Sequence, residues 1–186
     1  MLILEKCIGK GAVRECYVHP TNKNKCVKVL LKKKDCPVFE REFKNYSFIK
    51  EFLNDYIIDY DKDLVETNKG FGMVCELLRD DDGTVSKMIF EHEINDEIKK
   101  GLDLFVYQLL EHNLFFYDFN LNNFVVQIKD GKKKLKYIDV KSFERNKSWC
   151  FLKLENIFSL LARIVMIRRL KRLYKELGFN FSRSCV

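Results

Sequence analysis

Hydrophobic and polar residues alternate through the first part of the chain, which is the pattern of half-buried β-strands. Strand-like runs cover Leu2–Ile8, Arg14–His19 and Cys26–Leu31. Short turns separate them: the first contains glycines and the second spans Pro20–Asn24. These runs predict a three-stranded antiparallel meander at the start of the fold.

A spacing of three and four residues between large apolar side chains follows the meander. It predicts an amphipathic helix over residues 38–54. Two more strand-like runs come next, around Tyr56–Tyr60 and at Phe71–Leu78. Together with the meander they predict a five-stranded antiparallel sheet with one helix.

The acidic turn Asp80–Gly83 marks the expected boundary between two lobes of one domain, about residues 1–79 and about residues 84–186. In the second lobe, helical spacing covers residues 93–112 and about Phe151–Leu177. The remaining predicted elements are the two strands of a hairpin, Phe124–Ile128 and Leu135–Val140. The order of elements predicts an α+β fold whose C-terminal lobe is short and mainly helical.

Composition narrows the class of protein. Of 186 residues 47% are hydrophobic, including 16 Phe and 8 Tyr, which excludes a disordered chain. The 7 Cys form no C-x-x-C pair and only 3 His are present, so neither a structural zinc site nor a disulfide framework is expected. The first apolar run ends at Glu5, and no apolar stretch approaches the roughly 20 residues of a membrane span, so we expect a cytoplasmic protein. The net charge of +7 predicts an anionic partner.

Gly9 and Gly11 lie in the predicted first turn, with Lys10 between them. Glycines allow a backbone to approach phosphate oxygens closely and to direct amide donors at them. A strand follows this loop, not the helix of a dinucleotide-binding fold, and Arg14 stands where the third glycine of G-x-G-x-x-G would fall. The motif predicts either a loop that covers phosphates or an ordinary hairpin turn.

Lys28 stands inside an otherwise apolar strand, between Val27 and Val29. Alternation turns its side chain away from the face of those valines, so its ammonium needs a partner or must reach an edge. A carboxylate and a phosphate together would satisfy it. On the following helix Glu42 shares the buried stripe and is favoured over Glu40 as that carboxylate. An exposed edge lysine is the alternative interpretation.

An acid and an amide five positions apart, Asp118 and Asn123, lie in a polar loop that leads into an apolar strand. A second acid, Asp139, ends the partner strand of the same hairpin. Asp and Asn oxygens suit Mg²⁺, which also binds nucleotide phosphates, and another acid can accept the proton of an attacking hydroxyl. These residues are common in turns as well, but this spacing before a hairpin that ends in an acid favours a phosphoryl-transfer site.

Taken in order, these features resemble the protein-kinase-like fold: a glycine loop, a strand lysine, a helix glutamate, D-x-x-x-x-N and a strand-terminal Asp. More narrowly, most of the chain resembles the bacterial YrbL family of PhoP-regulatory-network proteins, most strongly over residues 7–46. The segments that carry this resemblance are Gly9–Pro20, Cys26–Val29 and Arg41–Tyr46. The D-x-x-x-x-N spacing is also similar to that of lipopolysaccharide core-sugar kinases, which share the fold.

The resemblance implies a minimal bilobal kinase-like protein that binds ATP with Mg²⁺ and transfers the terminal phosphoryl group to a hydroxyl acceptor. Asp118 would orient the acceptor, and Asn123 and Asp139 would hold the metal. Lys28, held by Glu42, would pair with the α- and β-phosphates. The other residues implied to contact the nucleotide are Gly9, Lys10 and Gly11 over the phosphates and Cys75, Glu76, Leu77 and Leu78 as a hinge against adenine.

Several positions depart from the protein-kinase pattern. Phe116 and Tyr117 replace the His-Arg pair before the catalytic Asp, and Asn120 stands where a Lys is common. Lys141 replaces the Gly of D-F-G, and the segment after it contains no A-P-E and is too short for a peptide-binding lobe. We therefore expect a sugar, glycolipid or small-molecule acceptor in preference to a protein. The same departures make a pseudokinase, a nucleotide-sensing or regulatory module without catalysis, the alternative function.

The predicted C-terminal helix carries many cations. Its apolar stripe is Leu154, Phe158, Leu161, Val165 and Leu173, and its cations are Arg163, Arg168, Arg169, Lys171, Arg172 and Lys175. Such a helix could meet an anionic membrane surface, a phosphorylated substrate or nucleic acid, or it could be a packed helix with a solvated cationic face. The runs Lys32–Lys34 and Lys132–Lys134 lack interleaved aromatics, which argues against nucleic acid as the partner. A basic nucleic-acid or membrane-binding protein remains the third alternative.

Overall fold

The computed structural model describes residues 1–32, 37–116, 118–144 and 155–181, which form a mixed α+β architecture. The first half contains a five-stranded sheet made of β1 (Cys7–Lys10), β2 (Arg14–Val18), β3 (Lys25–Leu30), β4 (Tyr60–Thr67) and β5 (Gly70–Glu76). The strands lie in the order β1, β2, β3, β5, β4, and every neighbouring pair is antiparallel. The predicted five-stranded antiparallel sheet is therefore confirmed.

The position of β4 differs from the prediction. The sequence predicts a strand around Tyr56–Tyr60, whereas β4 begins at Tyr60 and continues to Thr67. β4 is an edge strand with several exposed residues, so polar side chains such as Asp61 and Asp63 interrupt its apolar pattern. The buried residues before it are core contacts: Ile57 bridges to Tyr137 in the second half of the molecule.

The helix α1 (Pro37–Leu53) covers one face of the sheet, and its bounds agree with the predicted 38–54 to within one residue at each end. Its buried side chains are Phe39, Glu42, Asn45, Tyr46, Ile49 and Leu53. The apolar members pack into the same core as Cys26, Met73 and Cys75 of the sheet. A smaller apolar cluster, which contains Tyr17 and Val27, covers the opposite face. Glu42 and Asn45 are thus polar residues buried on the side of α1 that faces the protein.

The second half contains two long helices and two small sheets. Its elements are β6 (Lys87–Met88), α2 (Asp96–Glu111), β7 (Phe115–Phe116), β8 (Phe124–Lys129), β9 (Lys132–Tyr137), β10 (Phe143–Glu144) and α3 (Glu155–Glu176). β6, β8 and β9 form an antiparallel sheet, and β7 pairs with β10. The α2 helix begins after Asn95, whose side chain accepts a hydrogen bond from the Ile98 amide at 3.1 Å and so caps the first turn.

The buried face of α3 differs from the predicted stripe. Leu173 is buried as expected, but Leu161 and Val165 are exposed. Among the α3 side chains that the structure describes, the buried ones are Met166, Leu170, Leu173 and Tyr174, and Leu177 is buried just after the helix ends. The second half of α3 packs against the core, and there the Tyr174 hydroxyl donates to Asp103 at 2.6 Å. Leu154 and the side chain of Phe158 lie outside the described residues, as do Lys33 and Lys34.

A single apolar cluster joins the two halves. It runs from the sheet and α1 through α2, β8 and β9 to α3. The turn at Asp80–Gly83 packs against the β8–β9 hairpin, because the Asp80 carboxylate accepts from the Ile128 amide at 2.9 Å and the Asp81 carboxylate accepts from the Gly131 amide at 2.9 Å. Within the described ranges, no helix combines the length and the apolar character needed to cross a membrane.

Candidate functional site

Lys28 is the centre of a buried polar network beneath the sheet. Strand alternation turns it to the α1 side, where its side chain is 9% exposed. Its ammonium donates to Glu42 Oε1 at 3.2 Å, to the Tyr60 hydroxyl at 2.9 Å and to the Ile138 carbonyl at 3.1 Å. These contacts use all three ammonium hydrogens. The structure thus places Glu42 against Lys28, while Glu40 is exposed.

Glu42 is shared between two cations. Its Oε1 atom contacts Lys28, and its Oε2 atom accepts a hydrogen bond from Arg14. The Tyr60 hydroxyl also donates to Oε1, at 2.9 Å. The side chain of Glu42 is completely buried, so these donors replace the water that a carboxylate needs.

Arg14 extends the network to the segment after β9. Its second terminal nitrogen lies 3.2 Å from Asp139 Oδ1. Lys141 contacts the other carboxylate oxygen of Asp139 at 2.9 Å, and the Lys141 amide donates to Asp139 Oδ1 at 3.2 Å. Asp139 therefore begins the short 3₁₀ turn Val140–Ser142 as its N-cap, and it lies between two cations.

The charges of the network support one another. Burial would raise the pKa of Glu42, but Lys28 and Arg14 overcome that effect and hold the pKa at about 2. Burial likewise opposes the charged form of Lys28, yet Glu42 raises its pKa well above the ordinary value. The pKa of Arg14 is raised against the effect of burial by Glu42 and Asp139. Burial, followed by the charge of Glu42, raises the pKa of Tyr60. Glu42, Lys28 and Arg14 are therefore ionised at neutral pH.

Asn45 joins α1 to the same segment. It lies three residues after Glu42, on the same side of the helix. Its side-chain amide donates to the Val140 carbonyl at 3.1 Å and to the Phe143 carbonyl at 2.8 Å. Asn45 is buried, so it fixes the turn after Asp139 at a constant position relative to Glu42.

Asp118 and Asn123 form a second group on the loop before β8. Asp118 is exposed, and within the described part of the chain no hydrogen bond to its carboxylate is formed. Its backbone carbonyl accepts from the Asn123 side-chain amide at 3.0 Å and from the Tyr137 hydroxyl at 2.9 Å. The Asn123 carbonyl accepts from the Ile138 amide at 2.9 Å, which links this group to the residue beside Asp139.

The glycine segment is divided between strand and turn. Gly9 lies within β1, opposite Cys16, and Gly11 lies in the turn, where its amide donates to the Arg14 carbonyl at 2.8 Å. A Cβ atom at either position would make ordinary contacts, 3.9 Å from Cys16 Cβ and 3.5 Å from the Arg14 carbonyl oxygen. The described residues leave room for a Cβ atom at both positions, so crowding does not explain why glycine stands there.

Lys10 points away from the Lys28 network. Its ammonium contacts Glu15 at 2.8 Å, and the Tyr17 hydroxyl donates to the same carboxylate at 2.7 Å. Tyr17 belongs to the cluster on the opposite face of the sheet from Lys28. The structure thus separates the Lys10 side chain from the other candidate residues.

The expected hinge lies at the end of β5. Cys75 is fully buried, and Leu77 and Leu78 are buried beside it, while Glu76 is half-buried. The Leu77 amide donates to the Asn24 carbonyl at 2.8 Å, and the Leu78 carbonyl accepts from the Ser86 amide at 3.0 Å. The segment is therefore held on both sides and lies at one end of the face that carries Lys28.

Three residues of the network were not identified as candidates from the sequence. In the sequence Arg14 stands out only as a replacement for glycine. Its position on β2, two residues before Cys16, nevertheless turns it to the face of Cys16, the register partner of Lys28. Asn45 continues the buried stripe of α1, which is a usable signal for a polar residue. Nothing in the sequence distinguishes the hydroxyl of Tyr60 from that of other tyrosines, because its role depends on a partner strand.

The arrangement combines two buried cations, two carboxylates and an exposed acid on a nearby loop. Buried cations can bind phosphate oxygens, and Asp139 and Asn123 offer oxygen atoms of the kind that Mg²⁺ prefers. Among the described residues, no group of three or more His, Cys, Asp or Glu side chains is arranged to hold a metal ion.

The chain belongs to the family described as PhoP regulatory network protein YrbL, whose model matches residues 1–178. The match includes the whole Lys28 network and the Asp118–Asn123 loop. The family resemblance carried by the N-terminal motifs is thus confirmed. The description of the family names no reaction or ligand.

Two curated relatives are similar over part of the chain. They are the uncharacterized protein YrbL of Escherichia coli (strain K12) and the protein of the same name from Shigella flexneri. Each is 33% identical over 87 residues, an alignment that covers 45% of this chain and 41% of the relative. The match therefore spans less than half the length of each relative.

Proposed function

We propose that this protein is a small atypical kinase with a bilobal kinase-like fold, which binds ATP with Mg²⁺ and phosphorylates a hydroxyl acceptor. The observation that carries the proposal is the convergence of Lys28, Glu42 and Asp139, which come from β3, α1 and the segment after β9. A buried lysine held by a helix carboxylate, with an acid nearby that can hold Mg²⁺, is the arrangement that protein kinases use for phosphoryl transfer.

The residues fit Mg²⁺ if the nucleotide supplies the remaining ligands. Mg²⁺ commonly uses one or two protein oxygens together with phosphates and water, so Asp139 and the Asn123 side-chain oxygen would suffice. When present, the ion neutralises the charge of the transferring phosphoryl group. The net charge of the chain, +7, also favours an anionic ligand.

Asp118 is suited to the acceptor side of the reaction because its carboxylate is exposed and lies on the loop that carries Asn123. It would orient the acceptor hydroxyl and take its proton as the oxygen forms a bond to the γ-phosphorus. The bond from that phosphorus to the bridging oxygen breaks, and ADP leaves. A sugar, glycolipid or other small acceptor fits an exposed acid on a short loop.

A second candidate function is a nucleotide-binding regulatory module without catalysis. The contact of Arg14 with both Glu42 and Asp139 favours it, because a fixed guanidinium there competes with Mg²⁺ for Asp139. In that case nucleotide would bind without the metal, and the Asp118 carboxylate would have no role.

Thermal unfolding with ATP, with and without Mg²⁺, distinguishes these functions. At about ten times its Kd, ATP should raise the Tm by about 3 to 6 °C. For a kinase, the rise in wild type should require Mg²⁺ and should be absent from Asp139→Ala, with each shift measured against the same variant without ATP. Asp63→Asn, an exposed change on β4, is the matched control. A rise in Tm that occurs without Mg²⁺ and also in Asp139→Ala would favour the regulatory module. No rise in any variant would contradict both proposed functions.

A further inference from the structure

Three cysteines meet on the face of the sheet that carries Lys28. Cys16 lies on β2, Cys26 on β3 and Cys75 on β5, and strand alternation turns all three toward α1. Cys26 and Cys75 are buried, whereas Cys16 is half-buried. The Sγ atoms of Cys26 and Cys75 are 3.3 Å apart. These three residues, Cys16, Cys26 and Cys75, form a thiol cluster; Cys75 also belongs to the expected hinge, but the phosphoryl-transfer chemistry proposed above uses none of the three thiols.

The backbone positions of Cys26 and Cys75 permit a disulfide. The two residues are directly opposed in the antiparallel pairing of β3 and β5. Opposed residues in such a pair have Cα atoms about 4.5 to 5.5 Å apart, within the range of about 4.4 to 6.8 Å found for disulfides. Side-chain rotation would therefore suffice to bring the sulfur atoms from contact to bonding distance.

Cys16 is the member of the cluster best placed to react first. Its thiol is hydrogen-bonded with that of Cys26, and this bond, together with the nearby charges of Lys28 and Arg14, lowers the pKa of Cys16 although burial opposes the shift. The contacts of Cys26 with the other two thiols raise its own pKa. The thiolate is the reactive form of cysteine, so Cys16 combines the greater reactivity with the greater exposure.

We propose that the thiol cluster is a hydroperoxide-sensitive modification site, in which Cys16 reacts with the oxidant and Cys26 and Cys75 end as a disulfide. The Cys16 sulfur attacks one peroxide oxygen, the O–O bond breaks, and Cys16 becomes a sulfenic acid with release of water from hydrogen peroxide, or of the alcohol from an organic hydroperoxide. The Cys26 thiol, at the diagonally opposed position of β3, then displaces water to form a transient Cys16–Cys26 disulfide, for which the two strands must shift locally because diagonal neighbours lie about 7 to 8 Å apart. Finally the Cys75 thiol attacks the Cys26 sulfur, which returns Cys16 to the thiol.

Oxidation of the cluster should weaken nucleotide binding at the Lys28 site, and this consequence rests on the proposed function. Cys26 is two residues before Lys28 on the same strand and face, and Cys16 is the register partner of Lys28. A ligand bound at Lys28 would lie beside Cys16, the partly exposed member of the cluster. A bound nucleotide should therefore shield the thiols, and the disulfide should in turn weaken nucleotide binding.

Peptide mapping of the full chain tests the modification site. The three cysteines fall on separate tryptic peptides, residues 15–23, 26–28 and 70–79. After treatment with hydrogen peroxide and blocking of free thiols, mass spectrometry should find peptide 26–28 linked to peptide 70–79. Cys16→Ser should slow this linkage by at least about tenfold, since Cys26 and Cys75 are buried. Cys7→Ser, an exposed change on β1, should leave the rate unchanged.

Absence of the linked peptide, or an equal rate in Cys16→Ser, would overturn the proposal. Cys16→Val provides a second variant if the serine disturbs packing, and circular dichroism of each variant verifies the fold. ATP at about ten times its Kd should slow oxidation about tenfold if it covers the cluster. If ATP fails to bind the reduced protein, the kinase proposal fails while the linkage result stands; if it binds without slowing oxidation, the shielding is contradicted.

Discussion

Lys28 and Ile138 are 110 residues apart in sequence, yet the Lys28 ammonium donates a hydrogen bond of 3.1 Å to the Ile138 carbonyl. The Ile138 amide at the same time donates to the Asn123 carbonyl at 2.9 Å. One peptide segment thus fixes the strand that carries Lys28 relative to the loop that carries Asp118. Changes in the network should therefore affect both the stability of the fold and the geometry of the site.

Glu42 should stabilise the fold in a pH-dependent way. Its pKa of about 2 lies below the ordinary value of 4.5, so the folded state binds this proton less tightly than the unfolded chain does. The stabilisation is complete above about pH 5 and is lost as the pH falls from there toward 2. It corresponds to on the order of 3 kcal/mol of unfolding free energy. Urea unfolding of wild type and Glu42→Gln from about pH 7 to about pH 2 should show a difference that narrows as the pH falls.

Glu40→Gln is the matched control for this experiment, because Glu40 is on the same helix and is exposed. Its unfolding free energy should stay within about 0.5 kcal/mol of wild type at neutral pH. A deficit of Glu42→Gln that remained constant down to about pH 2 would show that charge on Glu42 does not contribute to stability.

Asn45→Ala should destabilise the fold by about 1 to 3 kcal/mol, because two buried carbonyl groups lose the side-chain donor, although the Val140 carbonyl still accepts from the Phe143 amide. Those groups belong to Val140 and Phe143, which flank the turn after Asp139. The same change should weaken ATP binding in the presence of Mg²⁺, since it releases this turn from α1. Chemical unfolding and calorimetric titration measure the two effects. Ser47→Ala, an exposed change on the same helix, should alter neither, and equal losses in both variants would contradict a positioning role for Asn45.

Local patterns were sufficient to predict much of the fold. The bounds of α1 follow from the spacing of its apolar residues, and the pairing of Lys28 with Glu42 follows from strand alternation and helical spacing, which are both local. β4 was misplaced because an edge strand need not carry an apolar pattern. The predicted stripe of α3 was wrong at Leu161 and Val165, because the side that packs on the core carries Met166, Leu170, Leu173 and Tyr174, the last of which also donates to Asp103 on α2.

The contacts of Arg14 could not be predicted in this way. Arg14 reaches Glu42 and Asp139 across 28 and 125 positions of sequence, so its partners depend on the tertiary arrangement. The sequence does show that a cation replaces a glycine. It does not show that this cation lies against the carboxylate expected to bind the metal.

Arg14→Met should lower the Mg²⁺ concentration needed for ATP binding. If Mg²⁺ binds as proposed, Arg14 would compete with it for Asp139, and the loss of a charged hydrogen bond of about 1.5 to 3 kcal/mol should lower that concentration by about tenfold or more. Glu42 keeps its contact with Lys28 in this variant, and Arg14→Lys serves as the control that retains the charge. Thermal unfolding over a range of Mg²⁺ concentrations gives the comparison. Complete loss of ATP binding in Arg14→Met would instead make Arg14 a ligand of the phosphates.

Asp118→Asn should abolish phosphoryl transfer while leaving the fold and ATP binding intact. The Asp118 side chain is exposed, and its structural contacts are made by the backbone carbonyl, which the substitution retains. Loss of the proton acceptor should reduce turnover by about 10² to 10⁴-fold. Release of ADP in the presence of sugar or glycolipid acceptors measures the rate, and the ATP-dependent rise in Tm verifies binding. Asp63→Asn, an exposed aspartate on β4, should keep full activity. If Asp118→Asn retains the wild-type rate with an active acceptor, Asp118 is not the base. If wild type shows Mg²⁺-dependent binding but no turnover with any acceptor, the regulatory module becomes the better description.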